Sequence, residues 1–155
     1  MKKTIIILVA VLMGTMANAQ IQDLGVRFGG LDDHGAELSA MWGLGGNRLE
    51  TDLGWSTGDH FNMFTLAGIY QWTGEIGSGF GWYAGFGARV AFWSYNDGVY
   101  SDSDVYLALA GQAGVEYNFD AVPLQLSLDI RPGFWLIPQT NFYWGDIALG
   151  IRYRF

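Results

Sequence analysis

Leu124-Gln125-Leu126-Ser127-Leu128-Asp129-Ile130-Arg131 alternates an aliphatic side chain with a polar or charged one at every step. A repeat of two residues belongs to an extended strand, whose successive side chains point to opposite faces of a sheet. One face of this strand is pure Leu and Ile, while the other carries an amide, a hydroxyl, a carboxylate and a guanidinium. Each strand of this kind divides an apolar environment from a polar one. The last nine residues, Ile147-Ala148-Leu149-Gly150-Ile151-Arg152-Tyr153-Arg154-Phe155, repeat the pattern and end on an aromatic ring.

The same alternation runs back through the chain. Leu24, Val26 and Phe28 flank Arg27. Ala36, Leu38, Ala40, Trp42 and Leu44 oppose Glu37 and Ser39, and Leu49, Thr51, Leu53 and Trp55 oppose Glu50 and Asp52. Phe64, Leu66, Gly68, Tyr70 and Trp72 lie opposite Met63, Thr65, Ala67 and Gln71. Trp82, Ala84, Phe86, Ala88, Val90 and Phe92 oppose Tyr83, Gly85, Gly87 and Arg89. Val105, Leu107, Leu109, Ala113, Val115 and Tyr117 oppose Tyr106, Ala108, Gln112 and Glu116. Gly, Asn, Asp and Ser clusters punctuate these runs. Eight strands of ~10 residues result, the length that crosses a bilayer at a tilt of about 45°. Turns are expected at 45–47, 73–79 and 118–123 on one side, and loops at 31–35, 56–60, 94–104 and 136–141 on the other. Pro132 cannot donate to a sheet ladder and marks a bulge or the rim of the seventh strand. No helical period and no linker appear, so residues 20–155 form one all-β domain, an eight-stranded antiparallel up-and-down barrel.

Composition narrows the class. The chain has 155 residues, 50% of them hydrophobic, 16% aromatic and only 15% charged, with 23 Gly, no Cys and a formal net charge of −7. The acidic balance lacks the basic face a backbone-phosphate binder needs, which speaks against nucleic acid. The absence of Cys excludes disulfides, thiol catalysis and Cys-ligated zinc. Met1-Lys2-Lys3, the apolar run Thr4 to Met13, and the small-x-small close at Ala17-Asn18-Ala19 read as a secretory signal peptide over residues 1–19, cleaved after Ala19. The apolar run is about half the ~20 residues a membrane helix needs. With Lys2 and Lys3 in the leader, residues 20–155 contain no lysine. Their basic residues are Arg27, Arg48, Arg89, Arg131, Arg152 and Arg154.

Alternation alone fits two barrels: a soluble lipocalin-like one with the apolar face inside, and a membrane barrel with it outside. Three features favour the second. The polar face holds Arg27, Glu37, Glu50, Asp52, Arg89, Gln112, Glu116, Asp129, Arg131, Asp146, Arg152 and Arg154, spaced by Gly, Ala and Ser. Small residues leave room in a narrow lumen, and the planar guanidinium suits buried carboxylates better than lysine does. Aromatics also sort by height. One rim receives Trp42, Tyr70, Trp72, Trp82, Tyr117, Phe119, Tyr153 and Phe155. The other receives Phe28, Trp55, Phe61, Phe92, Phe134, Trp135, Tyr143 and Trp144. Such belts flank an aliphatic band where a protein meets both bilayer interfaces. The third feature is the aromatic end at Phe155.

That terminal strand resembles the C-terminal signal of bacterial outer-membrane barrels. The chain as a whole resembles the small OmpA/OmpX-like eight-stranded outer-membrane barrels. Gly114-Val115-Glu116-Tyr117-Asn118-Phe119 and Pro123 to Gly133 are similar to such proteins from Bacteroidota-type bacteria. The resemblance implies a Gram-negative outer-membrane location, contact with outer-membrane lipids, and recognition by the barrel-assembly machinery through the strand ending at Phe155. It implies no single activity, since the family includes anchors, adhesins and proteins of unassigned role.

An eight-stranded barrel has an interior only wide enough for side chains. Arg27, Glu37, Glu50, Asp52, Arg89, Glu116, Asp129, Arg131, Asp146, Arg152 and Arg154 are therefore expected to pair into a plugging network, because an unpaired buried charge costs several kcal/mol. A porin is disfavoured on strand count. A monomer with a structural or surface-binding role, no enzymatic activity, no cofactor and no metal is the reading, with the outward loops offering a site for an extracellular ligand or partner. The alternative is a rim hydrolase acting on lipid A or peptide through His34 and His60 beside Asp32 and Asp59. Omptin-like proteases share those residue types but have ten strands. The acidic stretch Asn96 to Asp104 lacks the order of a Ca²⁺-binding loop.

Overall fold

The computed structural model describes residues 20–29, 35–96, 98–99, 101–145 and 147–155, so the proposed leader over residues 1–19 lies outside it. Ten strands follow in sequence: β1 (Ile21–Gly29), β2 (Ala36–Leu44), β3 (Asn47–Thr57), β4 (Phe61–Gly77), β5 (Phe80–Asn96), β6 (Ser101–Asn118), β7 (Leu124–Ile130), β8 (Gly133–Ile137), β9 (Asn141–Tyr143) and β10 (Ile147–Arg154). Each pairs antiparallel with its neighbours, and β1 closes on β10 from Asp23↔Arg154 to Gly29↔Ala148. Both β7 and β8 pair with β6, as successive parts of one stave. β9 pairs with β8 and β10 with β7, so these two make the next. The ring is a closed barrel of eight staves.

The two interrupted staves break side by side. Pro132 separates β7 from β8, and the Gly111 N–H donates to its carbonyl at 2.8 Å, so the ladder stays sewn across the break. Gly145, at φ 78°, lies beside that break in the adjacent stave, where a Cβ would run into the Arg131 carbonyl. Only glycine tolerates both the left-handed backbone and the close approach.

Side chains follow the period-two rule with the soluble pattern turned inside out. Leu128 is 50% exposed and Ile147 68% exposed, whereas Asp129 is 2% and Arg152 0% exposed. Water is a poor solvent for a surface of Leu, Ile, Val and Phe wrapped around buried charge, and a bilayer is a good one.

Stave length departs from the expected ~10 residues. β1 and β2 have nine residues each, but β4 and β5 have 17 and β6 has 18. Tilted at about 45°, nine residues climb roughly 20 Å and seventeen roughly 40 Å. The expected turn at 73–79 shrinks to Ser78-Gly79, because β4 runs through Gly77. The expected loop at 94–104 is mostly strand, with Ser94 to Asn96 in β5 and Ser101 to Asp104 in β6. Continuous pairing from Phe80↔Tyr117 to Asn96↔Ser101 outweighs the turn preference of the Asn, Asp and Ser residues.

Candidate functional site

One end of the barrel carries the chain termini and the tight turns after β2, β4 and β6. The other, the loop end, carries the connections after β1, β3, β5 and β8. The interior divides in the same sense, with charge through the middle and an aromatic cup at the loop end.

The charged part is built by parity. β1 sends Arg27 inward, where Nη2 donates to Asp129 of β7 at 2.7 Å and Nη1 to Glu37 of β2 at 3.1 Å. Arg131, just after β7, crosses the lumen to β3, which stands diametrically opposite. Its Nη2 lies 2.5 Å from Asp52 and 3.3 Å from Glu50, and its Nη1 lies 3.4 Å from Glu37. Arg152 of β10 donates to Glu50 at 2.7 Å, Ser127 at 2.8 Å and Ser39 at 3.0 Å. Gln71 donates to Glu50 and to Gln112. Tyr83 donates its hydroxyl to Asp129 at 3.0 Å. Glycine makes the room: a Cβ on Gly114 would meet the Tyr83 hydroxyl at 2.6 Å and the Asp129 Cβ at 2.7 Å.

Nine of the eleven residues assigned to this network lie in it. Arg27, Glu37, Glu50, Asp52, Arg89, Glu116, Asp129, Arg131 and Arg152 are all buried in the lumen. Arg154 does not belong there. Its side chain is 45% exposed at the terminal end and pairs with Asp23 at 3.5 Å, because β10 ends where the barrel opens. Asp146 lies outside the described residues. Sequence reasoning left out Arg48, whose Nη2 donates to Glu116 at 2.5 Å, whose Nε donates to Gln71 at 2.6 Å, and whose guanidinium sits 4.9 Å from the Tyr83 ring centroid. Its parity with Glu50 and Asp52 was enough to place it inward.

The loop-end cup is a cavity of about 650 Å³ lined by Phe61, Met63, Trp93, Tyr95, Tyr106 and Trp135, with Ala91 deeper and Ile137, Pro138, Gln139 and Asn141 along one edge. Trp93 and Tyr95 stack at 5.9 Å and 17°, and Tyr106 meets Trp135 edge-on at 5.9 Å. This corrects the expected outer belt, since Phe61 and Trp135 line the lumen and Tyr143 packs against Trp135 at 5.4 Å. The parity that turns Phe64 and Phe134 outward turns their odd-numbered neighbours inward.

The remaining aromatics stand on the outer surface near the two ends. Trp42, Tyr70, Trp72, Trp82, Tyr117, Tyr153 and Phe155 lie toward the terminal end, and Trp55 and Phe92 toward the loop end. Tyr70 packs on Trp72 and Tyr153 on Phe155. Trp42 donates to Thr51 and Trp55 to Thr57, both at 2.8 Å, giving each indole N–H a partner at an apolar surface.

Of the rim candidates, Asp32 and His34 lie outside the described residues. Asp59 and His60 are exposed in the connection after β3. The His60 ring meets Tyr95 edge-on at 6.3 Å, and among the described residues no hydrogen bond or ion pair joins it to a carboxylate.

A closed eight-stave antiparallel barrel, sheathed in apolar side chains and filled with paired charge, is the architecture of the small outer-membrane β-barrels. No protein-family model matches the sequence, and no curated protein matches it either. Solved structures match it in fold. Neisserial surface protein A aligns with a TM-score of 0.64 at 15% identity, over 89% of this chain and 99% of that one. The N-terminal β-barrel domain of OprF from Pseudomonas aeruginosa aligns with a TM-score of 0.58 at 17% identity, over 88% of this chain and 100% of that domain. At such identities the likeness is one of fold.

Proposed function

We propose that the protein is a non-conducting outer-membrane barrel that serves as a membrane-embedded scaffold and surface binder, not as a porin or an enzyme. The observation that carries this reading is the Arg131 side chain reaching Asp52 and Glu50 on the opposite wall, at the waist of a barrel too narrow to hold both that bridge and a water column. The loop end faces the cell exterior, the turns and termini face the periplasm, and residues 1–19 are a leader removed after Ala19 on export. Lipid contacts the outer aliphatic band, the assembly machinery receives the strand ending at Phe155, and the barrel is a monomer. A rim hydrolase is disfavoured because a general base needs an oriented proton partner, and His60 rests on an aromatic edge.

The test is conductance of the refolded protein in a planar bilayer. Wild type gives no stepwise ion currents. Arg131→Leu leaves three carboxylates short of a partner, so it unfolds at lower temperature in detergent and still gives no currents. Steady currents from wild type, or large ones from the variant, overturn the reading.

A further inference from the structure

Two buried polar groups near the cup have no hydrogen-bond partner. Arg89 is 4% exposed, its Nε is unpaired, and its closest carboxylate oxygen, on Glu37, is 3.6 Å from Nη2. Every other lumen arginine holds at least one carboxylate at 3.1 Å or less. Glu37 is also the most divided acid, since Arg27 and Arg131 reach it as well. Thr65, 2% exposed, has no partner for its hydroxyl.

Both groups sit beneath the cup. Thr65 pairs across the β4–β5 ladder with Ala91, a lining residue, and Arg89 is the next inward position below Ala91 on β5. The ladder partners of Arg89 are Ala67 and Ala108, and Ala91 stands between it and the cavity along β5, so its inward neighbours on that wall are all small. Two donors stand under the cavity: an N–H edge of fixed positive charge and a hydroxyl. Above them rise flat aromatic walls. An arginine that lacks a full complement of acceptors in a low-dielectric interior favours an incoming carboxylate, which it can bind through charge-assisted hydrogen bonds.

We propose that the cup is a binding site for a planar aromatic carboxylic acid of two or three fused rings, its carboxylate directed at Arg89 and Thr65 and its ring held among Trp93, Tyr95, Tyr106 and Trp135. The cavity is of ligand size, since small-molecule pockets run about 300–1,000 Å³. A saturated acyl chain gains nothing from the stacked Trp93–Tyr95 pair, and a neutral sugar leaves the Arg89 edge unmatched. The proposal names a ligand class for the surface-binding part of the function above and depends on that reading only for which side of the membrane the cup faces. Conductance decides the plug and ligand titration decides the cup, so each can fail alone.

The test titrates naphthalene-2-carboxylate into the full barrel folded in detergent micelles, following tryptophan fluorescence against empty micelles and heat-unfolded protein. The uncharged naphthalene-2-carboxamide, dodecanoate and maltotriose serve as comparison ligands. Saturable binding of the naphthoate, at least tenfold tighter than the amide, is expected. In Arg89→Gln that preference falls to within about twofold, while Trp93→Leu weakens acid and amide alike. If Arg89→Gln does not fold, Thr65→Val replaces it, and severalfold weaker binding of the acid with the amide unchanged is expected. No saturable signal with wild type, equal binding of acid and amide, a preference that survives the donor substitution, or tighter binding of dodecanoate or maltotriose overturns the proposal.

Discussion

Glu50 shows what a single side chain carries in this interior. It is fully buried and accepts hydrogen bonds from Ser39 at 3.3 Å, Arg131 at 3.3 Å and Arg152 at 2.7 Å, besides Gln71. Glu50→Gln keeps the shape and removes the charge, leaving two guanidiniums to share what remains. Breaking a buried pair from one side costs about 3–5 kcal/mol. The urea midpoint for loss of the compact band on an unboiled gel should fall accordingly. Arg154→Gln is the control, because its half-exposed pair with Asp23 is screened and worth at most about 1 kcal/mol. Equal effects from the two substitutions would mean that the interior is wet. Neighbouring buried charges also explain why this face has no lysine: the guanidinium fork lets Arg152 bind Glu50, Ser39 and Ser127 at once, which a point-charge ammonium on a flexible stem does not reproduce.

Among the elements, the paired break in the last two staves depends on Gly145. Gly145→Ala adds a methyl group against the Arg131 carbonyl at a left-handed backbone position, and strain of this kind costs about 1–3 kcal/mol. A reduced yield of heat-modifiable barrel, with the residual folded fraction melting earlier, is the expected outcome; refolding at wild-type yield would show that the break has slack. Much of the staves was legible in sequence because inside and outside differ in chemistry at every second residue. Leu124 to Ile130 and Ile147 to Tyr153 take the faces their alternation predicts. Legibility failed where that contrast fades. At the loop end of β4 and β5 both faces are aromatic, Phe61, Trp93 and Tyr95 inside and Phe64 and Phe92 outside, so hydropathy says neither where the stave ends nor which way its rings point. The cup stayed hidden for the same reason. The lumen pairs were legible as a set but not as partners, since Arg131–Asp52 is a contact across the ring that no local spacing encodes.

For the whole molecule, closure is what makes the architecture viable. The seam between β1 and β10 joins the two ends of the chain, and each edge it covers would otherwise present bare N–H and C=O groups to hydrocarbon. A chain ending at Gly145, without β10, exposes edges on both β1 and β7 and also loses Arg152, the only arginine besides Arg131 that touches Glu50 among the described residues. It should yield no heat-modifiable species in detergent, and a compact band from that truncation would show that seven staves can reclose. The uneven walls carry a different consequence. On β1 the outward apolar side chains run from Ile21 to Phe28, a climb of roughly 17 Å, and on β5 from Phe80 to Phe92, roughly 29 Å. A bilayer of uniform thickness cannot match both flanks, so lipid compresses beside the short one or the barrel axis leans to share the mismatch. The bilayer around the barrel is therefore uneven, thinner beside the strands β1 and β2 than beside β5.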